Sequence, residues 1–271
     1  MPNKYAELLT KVRGKSPLVQ QITNFVTVHD CANITLAIGA SPIMADAIGE
    51  SADIAAISSA LVLNMGTLDE ADIRSMVAAG KSANANGVPV VFDPVGAGAS
   101  KLRNDTVALL TKELSLSVIR GNISEIKFVA GVASQTKGVD AADGDMDNPE
   151  SVGRMVKELA AKLGCTVVVS GAVDVLSDGE RLVFIKNGHP MLTRLTGTGC
   201  MCTALIGSFC GVHSDPLEAA VAGMLAMGIA GEIAYEKAGR LGNGSFHSAL
   251  LDAISLMDAQ TVGRMARYCE A

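Results

Sequence analysis

Tryptophan is absent from this chain, and Phe, Trp and Tyr together make up only 3% of it. Its core must therefore be built from Ala, Val, Ile, Leu and Met, which pack closely between helices and a sheet. Charge is also sparse: 18% of residues are charged, the formal net charge is −6, and no run of Lys or Arg is dense enough to track a nucleic-acid backbone. DNA, RNA and anionic membranes are not expected partners. The longest low-charge run, Ala219 to Gly231, is closed by Glu218 and Glu232 and falls short of the roughly 20 residues that span a bilayer. It reads as a buried helix. Lys4, Glu7, Lys11, Arg13 and Lys15 occupy the first residues with no apolar stretch among them, so no secretory signal is read there and the cytoplasm is the expected compartment.

Six cysteines, at 31, 165, 200, 202, 210 and 269, form no C-x-x-C pair and have no His at zinc-site spacing. Mostly buried, reduced thiols are the expectation. Two nucleotide fingerprints are missing as well: there is no GxxxxGK[ST], and no GxGxxG that follows a strand and leads to a ribose-binding acid.

What is present is an alternation of short β-branched runs with helical segments over 271 residues, enough for a large core and read as one domain, 1–271. "PLVQQIT", "SPIM", "LVLNM", "VPVVFD", "LSVIR" and "CTVVVS" read as strands, several apolar on both faces as buried parallel strands are. "ESADIAAISSA", "DEADIRSMVAAGKSANANG", "DTVALLTKEL" and "PESVGRMVKELAAKLG" carry helical spacing, the last bounded by Pro149 and Gly164. Repeated βα units predict a mostly parallel sheet with helices on both faces. After the sixth strand, "VDVLSDGERLVFIKNGHP" reads as a hairpin around Asp178-Gly179, an antiparallel edge. The C-terminal third reads as nearly all helix, one segment opening on Asp215, Pro216 and Glu218 as a capping box. Lys137 to Asn148, polar and rich in Gly and Asp, is expected to be a surface loop.

Four stretches could carry chemistry. In "FDPVGAGAS", Asp93 ends a strand, where ligands of open α/β sheets bind, and it is either a metal-side carboxylate or a turn-former before Pro94. In "IRGNISEI", Arg120 suits a phosphate oxygen, while Asn122 and Glu125 suit Mg²⁺ beside phosphates or, equally, an N-cap and its capping-box partner. In "VVVSGAVD", Ser170 and Gly171 offer a small hydroxyl and an approachable backbone, or simply begin a hairpin. In "TGTGCMCTALIG", Gly197 and Gly199 lead into an apolar helix whose N–H groups suit a developing anion, with Cys200 where an acid or base would be looked for.

Together and in this order, these stretches resemble the ribokinase-like superfamily and, within it, the hydroxyethylthiazole kinase family of thiamine biosynthesis and salvage. "QQITNFVTVHDCANITLAIGASPIMADA", 20–47, is similar to that family's substrate-side segment. The resemblance implies a three-layer α/β/α sandwich that phosphorylates the alcohol of 4-methyl-5-(2-hydroxyethyl)thiazole with ATP and Mg²⁺. It implies that Arg120 and Ser170 contact ATP, that Met44 and Gly197 contact the thiazole, and that Asn122, Glu125 and Asp93 serve Mg²⁺ and phosphate. Asn24 and His29 fall in the substrate-side segment: Asn24 is taken as a substrate-side residue, while His29 is as readily a packing residue. A homotrimer with the thiazole site between subunits is implied too.

The superfamily's usual turn is Gly-Ala-Gly-Asp, and this family resembles the present chain in having Cys at the last place. In a loose transition state the nucleophile's proton leaves late, so a base worth 10²- to 10⁴-fold is a smaller term than positioning and charge neutralisation. Cys200 is expected to position the alcohol and to be a modest base at most, although a helix N-terminus can lower a thiol pKa. Competing readings are a hydroxymethylpyrimidine kinase, a nucleotide-dependent dehydratase of hydrated nicotinamide nucleotides, and a nonenzymatic nucleotide-binding regulator.

Overall fold

Strand and helix patterning of this kind builds a nine-stranded sheet in the computed structural model of the chain, which describes residues 4–132 and 148–271. In chain order the elements are α1 (Lys4–Lys15), β1 (Leu18–Ile22), α2 (Val28–Ile38), β2 (Ser41–Ile43), α3 (Ser51–Ile57), β3 (Ala60–Asn64), α4 (Glu70–Ala85), β4 (Val90–Asp93), α5 (Lys101–Glu113), β5 (Val118–Asn122) and α6 (Ile123–Val129). They continue with α7 (Pro149–Leu163), β6 (Thr166–Ser170), β7 (Asp174–Ser177), β8 (Leu182–Ile185), α8 (Thr198–Cys210), α9 (Pro216–Ala238), α10 (Asn243–Leu256), α11 (Ala259–Met265) and β9 (Tyr268–Glu270). The spatial order is β2-β1-β3-β4-β5-β6-β7-β8-β9. The first six strands are parallel, and β7, β8 and β9 are antiparallel.

Alternation along each strand divides the apolar residues between two cores. Val19, Val62, Val91, Val118 and Val168 face α1, α2, α8, α9 and α10. Ile22, Leu61, Leu63, Phe92, Ile119 and Val167 face α4, α5, α6 and α7. Side chains of period two sandwiched between helical layers make the three-layer arrangement expected for repeated βα units. The most enclosed helix is α8, buried from Met201 to Cys210. A Cβ at its Gly207 would come within 2.5 Å of Val62 Cγ2, so glycine lets α8 lie directly on β3. That brings its N-terminus to the middle of the sheet's carboxyl edge.

Local punctuation accounts for most boundaries. Asp69 caps α4 through the N–H groups of Ala71 and Asp72, and Asn148 caps α7 ahead of Pro149, with Gly164 closing it at φ +65°. Of the expected loop Lys137 to Asn148, residues 137–147 lie outside the described residues.

Three expectations change. The C-terminal third is nearly all helix as expected, but it ends in an unexpected short strand, β9, which pairs with β8 and extends the antiparallel edge. The capping box at α9 is only half made: Asp215 accepts from Leu217 and Glu218 N–H, but the Glu218 carboxylate turns to Lys4 and His213. The apolar run at Ala219 sits in a helix longer than the run itself, since Pro216–Leu241 has the length and composition to cross a bilayer. Of its most apolar window, 83% is buried inside the protein, as in a core helix.

Candidate active site

Parallel strands place their last residues along one edge, and here those residues are polar. Asn24 follows β1, and Asn64, Asp93, Asn122 and Ser170 end β3, β4, β5 and β6; the register sets Asn64 beside Asp93 and Asn122 beside Ser170. Over them lies the N-terminus of α8. Gly197, at φ +85°, turns the chain into it, and a Cβ there would meet Thr27 Cγ2 at 2.5 Å. Among the described residues no side chain caps this helix, so its first-turn N–H groups are suited to face an anion.

Asp93 is the hub. Its Oδ2 accepts from Asn64 Nδ2 at 2.9 Å and from Thr203 Oγ1 at 2.8 Å, and Arg120 Nη1 lies 4.0 Å away. Its Oδ1 is buried and has no hydrogen-bond partner among the described residues. Burial pushes the Asp93 carboxyl up, opposed by Arg120, Thr203 and Asn64. Glu125 is likewise raised by burial and by Asp93, against the pull of two backbone N–H groups and Arg120. Two buried carboxylates thus share one buried guanidinium. A divalent cation fits that surplus of negative charge, with the free Asp93 Oδ1 as its natural protein oxygen.

Asn122 and Glu125 form the capping box: Asn122 Oδ1 accepts from Glu125 N–H at 2.9 Å, and Glu125 Oε2 accepts from Asn122 N–H at 2.8 Å. Glu125 Oε1 accepts from Gly96 N–H at 2.8 Å, tying the Gly-rich loop after β4 to α6. With both oxygens engaged, Glu125 suits a water-mediated part in holding a cation. Among the described residues no group of three or more His, Cys, Asp or Glu converges as a ligand set, so Mg²⁺ would take most of its ligands from phosphates and water.

Arg120 and Ser170 come together, Nη2 donating to Ser170 Oγ at 2.8 Å. A Cβ at Gly199 would stand 2.6 Å from Arg120 Nη1, so the second glycine of the turn makes room for the guanidinium. Arg120 Nε is buried and has no hydrogen-bond partner among the described residues. Asp174 closes the turn after Ser170 by accepting from Gly171 N–H at 3.0 Å, and burial lifts its carboxyl to about 7.

Cys200 lies in the first turn of α8, where its thiol accepts from Asn24 Nδ2 at 3.4 Å. The dipole argument for a lowered thiol pKa does not hold here: burial and Asp93 push it up, outweighing donors on Thr27, Asn64 and Asn24. Asn24 is 4% exposed, donates also to Asn64 Oδ1 at 2.8 Å, and accepts from Thr27 N–H and Oγ1. Met44 follows β2 and packs partly buried against the α8 side of the core. His29 is exposed and paired with Asn33, away from these contacts.

Asn64, Thr203, Thr27 and Asp174 were not anticipated. Asn64 had a signal, a polar residue ending an apolar strand as Asp93 does; the others become visible only through tertiary contact. A groove of about 960 Å³ lined by Lys11, Lys15 and His213 lies at the opposite, amino end of the strands and contains none of this chemistry.

Residues 9–260 match the model of the Hydroxyethylthiazole kinase family. The chain is 58% identical to a hydroxyethylthiazole kinase of Ruminiclostridium cellulolyticum over 97% of its own length and 96% of the relative's. It is 39% identical to the solved hydroxyethylthiazole kinase protein of Pyrococcus horikoshii, with a TM-score of 0.90 over 99% of each chain. A Bacillus subtilis pyridoxal kinase solved as an ADP complex shares the fold alone, at 17% identity and a TM-score of 0.57 over 80% of this chain and 92% of that one.

Proposed function

The chain belongs to the hydroxyethylthiazole kinase family, and from that premise we propose that it phosphorylates the hydroxyl of 4-methyl-5-(2-hydroxyethyl)thiazole with ATP, providing the thiazole phosphate for thiamine phosphate synthesis. The observation that carries the proposal is the uncapped N-terminus of α8 with Gly199 against the Arg120 guanidinium, a concentration of fixed positive dipole and charge beside the buried carboxylate Asp93.

In this reading Arg120 and Ser170 hold ATP phosphate oxygens, and the N–H groups from Thr198 to Cys200 receive the transferring phosphoryl group. The substrate oxygen forms the new bond to Pγ, the bond from Pγ to the β-phosphate oxygen breaks, and its electron pair leaves with ADP. The alcohol proton departs late, to an oxygen of the transferred phosphoryl group or to solvent. Cys200, kept as a thiol by burial and Asp93, orients the alcohol rather than deprotonating it, and Asn24 fixes the thiol from behind. Mg²⁺, when bound, neutralises charge on the phosphates; Asp93 would hold it directly, Glu125 through water, with Asn122 positioning Glu125. Met44 and Gly197 form the thiazole side, where a soft thioether suits an apolar ring.

A homotrimer with the thiazole site between subunits is supported by exposed apolar side chains along the chain from the end of β1 to α3. Phe25 is 79% exposed, and Val26, Leu36, Ile48 and Ile57 are exposed as well. Sedimentation at micromolar concentration is expected to give the mass of three chains. The cytoplasm, as working compartment, is supported by free thiols at all six cysteines.

The test is ADP release by the purified chain with ATP and Mg²⁺ in the presence of the thiazole alcohol, hydroxymethylpyrimidine or ribose. Strong stimulation by the thiazole alone is expected. Stimulation by another alcohol instead would keep the kinase and replace the acceptor, and silence with every acceptor would contradict the reading.

A further inference from the structure

Arg103, in the first turn of α5, has no acidic partner among the described residues. Instead its guanidinium donates to three backbone carbonyls: Nη1 to Met65 O and, at 2.6 Å, to Val95 O; Nη2 to Gly66 O at 2.7 Å. Met65 and Gly66 follow β3, and Val95 follows β4. One side chain therefore spans the two loops that leave the middle of the sheet at the site.

Each loop carries a group that the site needs. Gly66 N–H donates to Asn64 Oδ1 at 3.0 Å, and a Cβ at Gly66 would stand 2.8 Å from Asn24, so this peptide is the floor of the Asn24–Asn64 pair behind Cys200. The peptide after Val95 donates, through Gly96 N–H, to Glu125 Oε1. That loop runs through Gly96 at φ +71° and Gly98 at φ +90°, and a Cβ at Gly96 would be 3.2 Å from Arg103 Cδ. Its far end is held by Asn104, whose Oδ1 accepts from Gly98 N–H at 2.8 Å. A lysine would keep the charge but concentrates its donors on one nitrogen, whereas the planar fork presents them along separate directions to separate loops.

We propose that Arg103 is a positioning residue for phosphoryl transfer: by locking the β3 loop to the β4 loop it keeps the Asn24–Asn64–Asp93 chain and Glu125 in register with the turn at Gly197. The proposal rests on the kinase reading of the site. Misplacing reacting groups by about 1 Å is enough to cost on the order of 10²-fold in rate, so the effect belongs in kcat rather than in binding.

The test uses the full chain with Arg103→Lys and Arg103→Ala, each corrected for its folded fraction by thermal melting. Three readouts are taken: kcat and KM for ATP and the thiazole alcohol, amide hydrogen exchange over 64–66 and 94–98, and recovery of Arg103→Ala by added guanidinium. Arg103→Lys is expected to fold, to lose about 10- to 100-fold in kcat with KM for ATP changed by less than about threefold, and to exchange faster in both loops. Guanidinium is expected to restore part of the Arg103→Ala rate. A kcat per folded molecule within about twofold of the parent would overturn the proposal. If the parent shows no thiazole-dependent turnover, the kinase reading fails by itself, and hydrogen exchange still decides the clamp: unchanged protection in Arg103→Lys refutes it.

Discussion

The Asn24 amide donates to the Cys200 thiol at 3.4 Å while its own oxygen accepts twice from Thr27, so the cysteine is held from behind by a residue that is itself fixed by hydrogen bonds. The same amide nitrogen reaches Asn64, which reaches Asp93. Cys200 is thus the outer end of a buried polar chain that begins at the carboxylate beside Arg120.

A thiol raised by burial and by Asp93 contributes little as a base. Cys200→Ser is expected to keep kcat within about tenfold, and the parent's kcat should show no thiol-like inflection between pH 7 and 9. Cys200→Asp should retain or raise turnover, since the Asn24 amide is in place to donate to a carboxylate there. Steady-state pH profiles check both; a folded Cys200→Asp protein with no activity would show that the thiol itself is required.

At Gly199 the neighbour of an added methyl is the Arg120 guanidinium, 2.6 Å from the Cβ position. Gly199→Ala should displace Arg120 from Ser170 and raise KM for ATP at least about tenfold, the loss of one charge-assisted contact, with a smaller change in thermal stability. An ATP titration compared with a melting curve separates the two effects, and an unchanged KM would take Arg120 out of the phosphate site.

Met44 offers the opposite control. A lysine there puts an ammonium into the apolar wall proposed for the thiazole, so KM for the alcohol should rise several-fold while KM for ATP stays put. Kinetics with one substrate varied at a time will show which of the two moves.

Asp174 should be visible in stability. Its carboxyl is raised from 3.8 to about 7 by burial, against the pull of the Gly171 N–H and Arg120. The folded state therefore holds a proton that the unfolded chain releases, and this group's contribution is full below pH 4 and lost as pH climbs from about 4 to about 7. Three pKa units amount to about 4 kcal/mol at most. Asp174→Asn keeps an oxygen for Gly171 and removes the charge, so it should be more stable than the parent at pH 8 and little different at pH 4. Denaturant unfolding at the two pH values is the check; equal stability at pH 8 would mean that the carboxylate is solvated.

Much of this was legible because short-range chemistry agreed with the fold. Pro149 and Gly164 bracket α7, Asp178-Gly179 turns the β7–β8 hairpin, Asp93, Asn122 and Ser170 are polar residues at the ends of apolar strands, and Arg120 is a charge inside one. What stayed hidden depends on partners far away in sequence. β9 is three residues long and exists through pairing with β8, and Glu218 abandons its expected cap for Lys4, 214 positions earlier. Asn-x-x-Glu cannot by its spacing separate a cap from a ligand set; the cap is formed, and the bond from Gly96 to Glu125 is what links it to the site. Arg103 left no local trace, because its partners are carbonyls in two other loops.

The most direct measurement is transfer of label from γ-³²P-ATP to 4-methyl-5-(2-hydroxyethyl)thiazole by the parent chain and by Gly197→Val. A Cβ at Gly197 would stand 2.5 Å from Thr27, in a backbone conformation that a β-branched residue resists. Label on the thiazole alcohol with the parent and none with folded Gly197→Val is the expected result. Label on water alone, or equal transfer by the two proteins, would contradict the role assigned to the α8 turn.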